Sequence, residues 1–290
     1  MSLRTDGRAV DELRTISIAY EGLDRVDGSA RFGFGETKSL TSVSGPIEVR
    51  PNFELPSQAT LDIHIRPLAS ISGTDSKAIS ATLKSILMPA LFLTHYPRTL
   101  VQLVGQALCG TESGSGMGSV GKGWYASLVA SLINASSAAL INAGSVSMKG
   151  VVCAVSVGRL PSASGTTLVL DPSESELSRL SGGGCFAFLF SSVLPVASID
   201  ELPPCSLLWT NYTTHTPFDD SELAHAKELA EKGARRVWMS LKESVGRMEA
   251  SATSVEDVKL KSGSSKMDTN AGMPAGEENE SDVDDEKMEI

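Results

Sequence analysis

The sequence predicts a mixed α/β (α+β) body, a mixed sheet with helices packed on it, over residues 1–250, followed by an acidic tail over 251–290. Three observations carry this. Short alternating or β-branched runs come first, and helical and strand patterns then alternate, an order that puts helices on sheet faces. Residues 123–148 carry no charge but include Asn134, Asn142 and six serines. That stretch is too polar for lipid and reads as a helix buried between other elements. Beyond Ala250 large apolar residues nearly vanish, so little is left to offset chain entropy, and disorder is expected.

The elements follow in order. Thr15 to Glu21 reads as a first strand. Asp27-Gly28 is a turn signal, Ser29 to Phe34 a second strand, Gly35-Glu36 a second turn, and Thr37 to Val43 a third strand closed by Gly45-Pro46. Two strands joined by a Gly-containing turn form a hairpin fixed by local chemistry. Ile47 to Arg50 reads as a further strand. Ala59 to Arg66 sets Leu61, Ile63 and Ile65 against Asp62, His64 and Arg66, a half-buried strand whose polar row is solvated or lines a channel.

Ile79, Leu83, Ile86, Leu87, Ala90 and Leu91 fall at helical spacing within Asp75 to Leu93, with Thr74 or Asp75 as cap and Pro89 as kink or end. Thr99 to Cys109 is strand-like, and a Gly/Ser-rich insertion follows over residues 110–123. The uncharged helix then runs to about Asn142, with Gly144 as its stop. Val151 to Val157, Thr166 to Leu170, Cys185 to Phe190 and Ser206 to Thr210 read as strands. The last helix opens at Asp219, with Glu222 completing a capping box, and runs toward Met248.

Charge divides the chain. Residues 251–290 hold eleven Asp/Glu against four Lys, a net of −7, so of the total −10 residues 1–250 carry −3. A near-neutral body of this size buries a substantial core and is no basic nucleic-acid module by charge count. RNA contact would have to come from local patches or from partner subunits. Cys109, Cys153, Cys185 and Cys205 are scattered in apolar segments without a C-x-x-C pair, as in buried, reduced thiols. No charged-then-apolar leader opens the chain, which argues against secretion and against use of the sequons at Asn134 and Asn211.

The loudest motif lies in the insertion. Gly116, Gly118 and Gly121 fit G-x-G-x-x-G, and Lys122 extends it to G-x-x-x-x-G-K between a strand and a helix. Gly123, however, stands where a P-loop needs Ser or Thr for Mg²⁺, and a Gly/Ser-rich surface insertion is the preferred reading. His64, His95, His215 and His225 show no metal-ligand spacing, so neither metal nor cofactor is expected. Asp171, Glu174 and Glu176 could form a general-acid cluster, although an exposed turn is the commoner use of D-P-S-E-S-E.

The wording of several segments resembles the ribonuclease PH family: R-T-D-G-R-A-V-D-E-L-R-T-I-S-I from Arg4 to Ile18, D-G-S-A, G-E-T-K, P-R-T at Pro97 to Thr99, and T-L-V-L-D at Thr167 to Asp171. The closing S-G-P, with Glu48-Val49, and the helix ending in N-A-G lean toward the eukaryotic exosome-ring branch. The likeness spans Arg4 to Met248 and implies a ribonuclease PH-like domain of the ribosomal protein S5 domain 2-like fold. It also implies partners: other ribonuclease PH-like subunits in a hetero-hexameric ring, cap subunits and a catalytic ribonuclease, with RNA reached through the complex and no membrane. The implied location is nucleus, nucleolus and cytoplasm.

Active members attack the RNA 3′ end with inorganic phosphate, which needs cations for two phosphate groups and acids for the leaving oxygen or a metal. Carried onto this sequence, the arginine that follows S-G before the first long helix is Thr74, and the T-R pair opening the second helix falls on Ser127-Leu128, so neither phosphate-holding position keeps a cation. Of two acids six residues apart, Asp171 remains and its partner is Leu177. The resemblance therefore implies a catalytically silent ring subunit. An active phosphate-dependent 3′ exoribonuclease is the alternative, and a P-loop nucleotide-binding protein a third reading.

Overall fold

A computed structural model describes residues 4, 6–69, 71–109, 125–162, 165–191 and 203–264. The proposed insertion, with its G-x-x-x-x-G-K motif, and residues 265–290 lie outside the described residues. Contacts divide the chain into a unit over residues 1–246 and a second over 247–290.

The first unit begins with the expected strands, β1 (Ile16–Tyr20), β2 (Gly28–Phe34) and β3 (Thr37–Glu48). The separate strand expected at Ile47 to Arg50 does not exist. β3 runs on through Gly45-Pro46 to Glu48, its register against the next strand shifting between Ser44 and Ile47. A bulge absorbs the proline, which has no N–H for the ladder. β5 (Thr99–Ala107) pairs with β3, and β4 (Thr60–Arg66) adds to it in parallel, giving the order β1-β2-β3-β5-β4.

The second sheet is antiparallel throughout, so the mixed pairing belongs to the first sheet alone. β8 (Gly182–Phe190) pairs with β6 (Val151–Ser162), which pairs with β7 (Gly165–Leu170). β9 (Cys205–Thr210) and β10 (Thr213–Thr214) share the far edge of β8.

Helix α1 (Thr74–Leu87) packs on β4 through Ile79, Leu83, Ile86 and Leu87. Its N-cap is Gly73, with no side-chain bond, so neither Thr74 nor Asp75 caps it. It stops at Leu87, and Met88-Pro89-Ala90 form a 3-10 turn, the expected effect of Pro89.

Helix α2 (Ala126–Ala143) organises the unit. Every residue from Ala126 to Leu140 is buried, with β2 and β3 on one side and β6 and β8 on the other. By length and composition it could cross a membrane, but here its alanines and serines let two sheets approach it. A Cβ on Gly28 would lie 2.4 Å from the Ala143 nitrogen, so that glycine is needed for close approach as well as for the turn. The serines and the asparagine stitch the layers together. Asn134 bonds both the N–H and the C=O of Ala154, at 2.7 and 2.8 Å, Ser137 donates to the Val152 carbonyl at 2.7 Å, and Ser131 donates to the Phe32 carbonyl at 3.1 Å. Buried polar groups paired in this way avoid the desolvation penalty. With 0% exposure, Asn134 is closed as a sequon. Gly144, at φ 61°, supplies the left-handed C-cap.

Helix α3 (Asp220–Ser264) opens one residue later than expected. The Glu222 carboxylate turns away from the expected capping box and receives Arg159 Nη2 at 3.1 Å and the Tyr212 hydroxyl at 2.7 Å. The helix is described to Ser264, past the residue-250 boundary where the sequence suggests disorder.

Candidate functional site

The structure brings Ser127, Asp171 and an unexpected group of arginines to one place, the N-terminus of α2 against the turn after β7. The side chain of Asp171 is 1% exposed, and its backbone sits at φ 47°. Asparagine and aspartate tolerate that left-handed region better than other non-glycine residues, but it still signals a position fixed by its surroundings.

Four donors surround the carboxylate. Oδ1 accepts from Arg14 Nη2 at 2.6 Å and from the Ser127 hydroxyl at 3.0 Å. Oδ2 accepts from Arg14 Nε at 2.8 Å and from the Arg14 backbone N–H at 3.1 Å. An ionised carboxylate offers about four acceptor positions, and all are occupied. Burial lowers the pKa of the Arg14 guanidinium, but the hydrogen bond to Asp171 and the charge of that carboxylate together leave it above the ordinary value.

Arg4 does for Glu176 what Arg14 does for Asp171. Its Nε and Nη2 reach the two carboxylate oxygens at 3.1 and 2.8 Å, with both side chains 1% exposed. It also donates to the carbonyls of Leu170 and Asp171, at 2.8 and 2.9 Å. Burial raises the pKa of the Glu176 carboxyl, but the Arg4 and Ser173 hydrogen bonds bring it net below its ordinary value. Arg8 adds a bond to the Asp171 carbonyl at 3.1 Å. Arg4, Arg8 and Arg14 thus hold the turn after β7, which corrects the exposed-turn reading of D-P-S-E-S-E: Asp171 and Glu176 are buried, and Glu174 is exposed.

The other positions are less concentrated. Leu128, at 0% exposure, and Leu177, at 7%, are members of the apolar core. Thr74 stands exposed at the first turn of α1, and among the described residues it bonds to none of the other four. A chain of contacts leads outward from Asp171: Arg14 Nη1 donates to the Thr37 hydroxyl at 2.9 Å, Thr37 meets the Tyr125 hydroxyl at 3.1 Å, and Tyr125 meets Cys109 Sγ at 3.6 Å.

Such an arrangement holds charge in place rather than releasing it. A general acid needs a transferable proton within reach of the leaving oxygen, and a metal ligand needs a free lone pair. In this geometry both oxygens of the Asp171 carboxylate are engaged by Arg14 and Ser127. No group of three or more His, Cys, Asp and Glu that could hold a metal is present among the described residues, and the four cysteines are free thiols. Arg4, Arg8 and Arg14 were visible in the sequence only as part of a resemblance. Arg14 lies 157 positions from the acid it neutralises, a separation that linear spacing does not reveal.

Comparisons with known proteins agree on one family. Residues 12–145 match the profile described as "3' exoribonuclease family, domain 1". The exosome complex component RRP46 of Saccharomyces cerevisiae is 32% identical over 155 residues, covering 53% of this chain and 65% of that protein. The chain spans 53% of its counterpart in Schizosaccharomyces pombe, so these first relatives are matched over little more than half to two thirds of their length. The exosome complex component Rrp41 of Archaeoglobus fulgidus is 30% identical over 253 residues, covering 84% of this chain and 86% of that one. Among solved structures, rice Rrp46 superposes with a TM-score of 0.65 at 25% identity, covering 84% of this chain and 100% of that one. An archaeal exosome core, at 16% identity and a TM-score of 0.59, supports the fold. A relative 30% identical over nearly its whole length, together with the matching profile, establishes that the chain belongs to the ribonuclease PH, or 3′ exoribonuclease, family.

Proposed function

We propose that the chain is a non-catalytic structural subunit of an RNA-exosome ring, supporting 3′-to-5′ RNA processing and degradation. Its partners are other ribonuclease PH-like subunits in a hetero-hexamer, together with cap subunits and a separate catalytic ribonuclease. RNA is reached through the complex, in the nucleus, nucleolus and cytoplasm. The relatives named as exosome components, in yeasts, rice and archaea, support the ring assignment.

The observation that carries the silent reading is the saturation of Asp171 by Arg14 and Ser127, beside phosphate-holding positions without a cation. A phosphate dianion and a phosphodiester repel each other, and fixed cations must offset that repulsion. Thr74 and Ser127 cannot supply the bidentate contacts of arginine, and Leu128 is apolar and buried. Losing one oriented donor costs about 10²–10³ in rate, and here several positions differ together.

The test is release of nucleoside diphosphates from a single-stranded RNA 3′ end, with and without phosphate. The isolated chain is expected to give none above background. Robust phosphate-dependent release, abolished by Asp171→Asn, would establish the active exoribonuclease instead. Co-purification with other ribonuclease PH-like subunits, each contact burying on the order of 1,000 Å² or more, tests the ring.

A further inference from the structure

A second feature lies on the first sheet, away from Asp171. A groove of about 590 Å³ lies where β3, β5 and β4 meet the end of α1 and the Pro51–Phe53 turn, lined by Glu48, Arg50, Phe53, Asp62, Lys84 and Gln102 among others. The row expected to be solvated or to line a channel forms part of its wall. His64 Nε2 lies 3.0 Å from Asp62 Oδ2.

Three properties of this groove point to one ligand. The Phe53 ring is 64% exposed, at the end of the 3-10 turn Pro51–Phe53. A large aromatic face left in water beside a cavity is a ready stacking platform. Arg50 and Lys84 are exposed and have no ion pair among the described residues, whereas Asp62 is engaged by His64. That leaves two cations without an ion pair in a groove that also holds the carboxylates of Glu48 and Asp62, so its formal charges balance and the cations stay free for a ligand. The remaining polar wall is rich in acceptors: the carboxylates of Glu48 and Asp62 accept hydrogen bonds, and Gln102 both donates and accepts. The volume lies in the range of small-ligand sites.

An aromatic face, two cations and clustered acceptors match a single nucleotide of unpaired RNA. The base stacks on Phe53, its phosphates lie toward Arg50 and Lys84, and an exocyclic amine meets the carboxylates. We propose that this groove is a one-nucleotide reading pocket that favours amine-bearing bases over uracil. Uracil presents carbonyl oxygens on both sides of its N3–H, and carboxylates repel them. The acids also explain why the pocket suits one nucleotide rather than a backbone-tracking channel. This inference rests on the proposed role in an RNA-handling ring and adds a contact of the chain's own.

The full-length chain is titrated with fluorescein-labelled pentaribonucleotides UUXUU, in which X is A, C or U, by fluorescence anisotropy. A and C are expected to bind severalfold tighter than U. Phe53→Ala should weaken the A pentamer about tenfold, and Phe53→Trp should retain binding with quenched emission. Because Phe53 is exposed, neither change threatens the fold. Arg50→Ala with Lys84→Ala should flatten the salt dependence by about 0.7 per lost phosphate contact. Glu48→Gln should narrow the gap between A and U. Affinity within twofold of the parent in Phe53→Ala, equal binding of the three pentamers, or ultraviolet cross-links mapping away from Phe53 overturns the proposal. So does equally tight displacement of the pentamer by an extended peptide. Such a failure leaves the proposed function intact if the chain still co-purifies with its ring partners and releases no nucleoside diphosphate.

Discussion

Asp171→Asn separates a structural acid from a catalytic one. In the folded chain the carboxylate neutralises Arg14, whose side chain is 13% exposed, and lies 3.9 Å from Arg8. Asparagine keeps the shape and tolerates φ 47°, so backbone strain changes little. It removes the negative charge and turns an N–H₂ group toward guanidinium or hydroxyl donors, which leaves a buried cation uncompensated. Removing one partner of a buried, hydrogen-bonded pair costs about 3–5 kcal/mol. At about 2–4 °C per kcal/mol for a domain of this size, the melting temperature should fall by roughly 6 to 20 °C. Urea titration of the parent, Asp171→Asn, Arg14→Gln and the double variant gives the energies, and the coupling between the two sites should be about 0.5–3 kcal/mol. Asp171→Asn within 1 kcal/mol of the parent, with no coupling to Arg14, would refute the ion-pair reasoning.

The Arg4–Glu176 pair predicts an acid limb. Because the folded Glu176 pKa is lowered, its contribution is complete above the unfolded glutamate value of about 4.3 and is lost as pH falls through the folded value. Urea midpoints measured from pH 7 to pH 3 should drop more steeply below about pH 5 in the parent than in Glu176→Gln, which is less stable at pH 7 but flatter. Truncation after Ala250 keeps the whole of the first compact unit, residues 1–246, and should leave the melting temperature and partner binding unchanged. A large loss of either would make the acidic segment structural.

Local patterns explain why the strands and the two inner helices were legible. Strand alternation, the β2–β3 turn, Pro89 and Gly144 each act within a few residues, and the structure places them where the sequence does. Helix α2 could be read because a run without charge but with many serines is consistent only with burial beside backbone partners. What failed depended on distance. The continuation of β3 to Glu48 depends on pairing with β5, and the choice of Glu222 between cap and Arg159 depends on a strand that contacts it from 63 positions away. The candidate site was legible in the position of Asp171 but not in its occupancy. Nothing near Asp171 in the chain says that Arg14 fills its lone pairs.

That occupancy bears on whether the charged groups of the family pattern could be introduced at these positions. Thr74→Arg places a cation on an exposed helix start and should fold normally. Leu128→Arg and Leu177→Asp instead put charges at positions 0% and 7% exposed, inside the core cluster. The effective penalty for burying an unpaired ion is several kcal/mol, against total stabilities of about 5–15 kcal/mol. An Asp at 177 would also need a cation of its own, because Arg4 is bound to Glu176 and Arg14 to Asp171. The triple variant Thr74→Arg, Leu128→Arg, Leu177→Asp is therefore expected to melt well below the parent and to release no nucleoside diphosphate, whereas Thr74→Arg alone melts with it. Leu128 and Leu177 are part of the packing, so on the proposed reading stability opposes charged residues at these two positions. Measurable phosphate-dependent release from a triple variant of parental melting temperature would show that the site can still accept the charges, and the argument would fail.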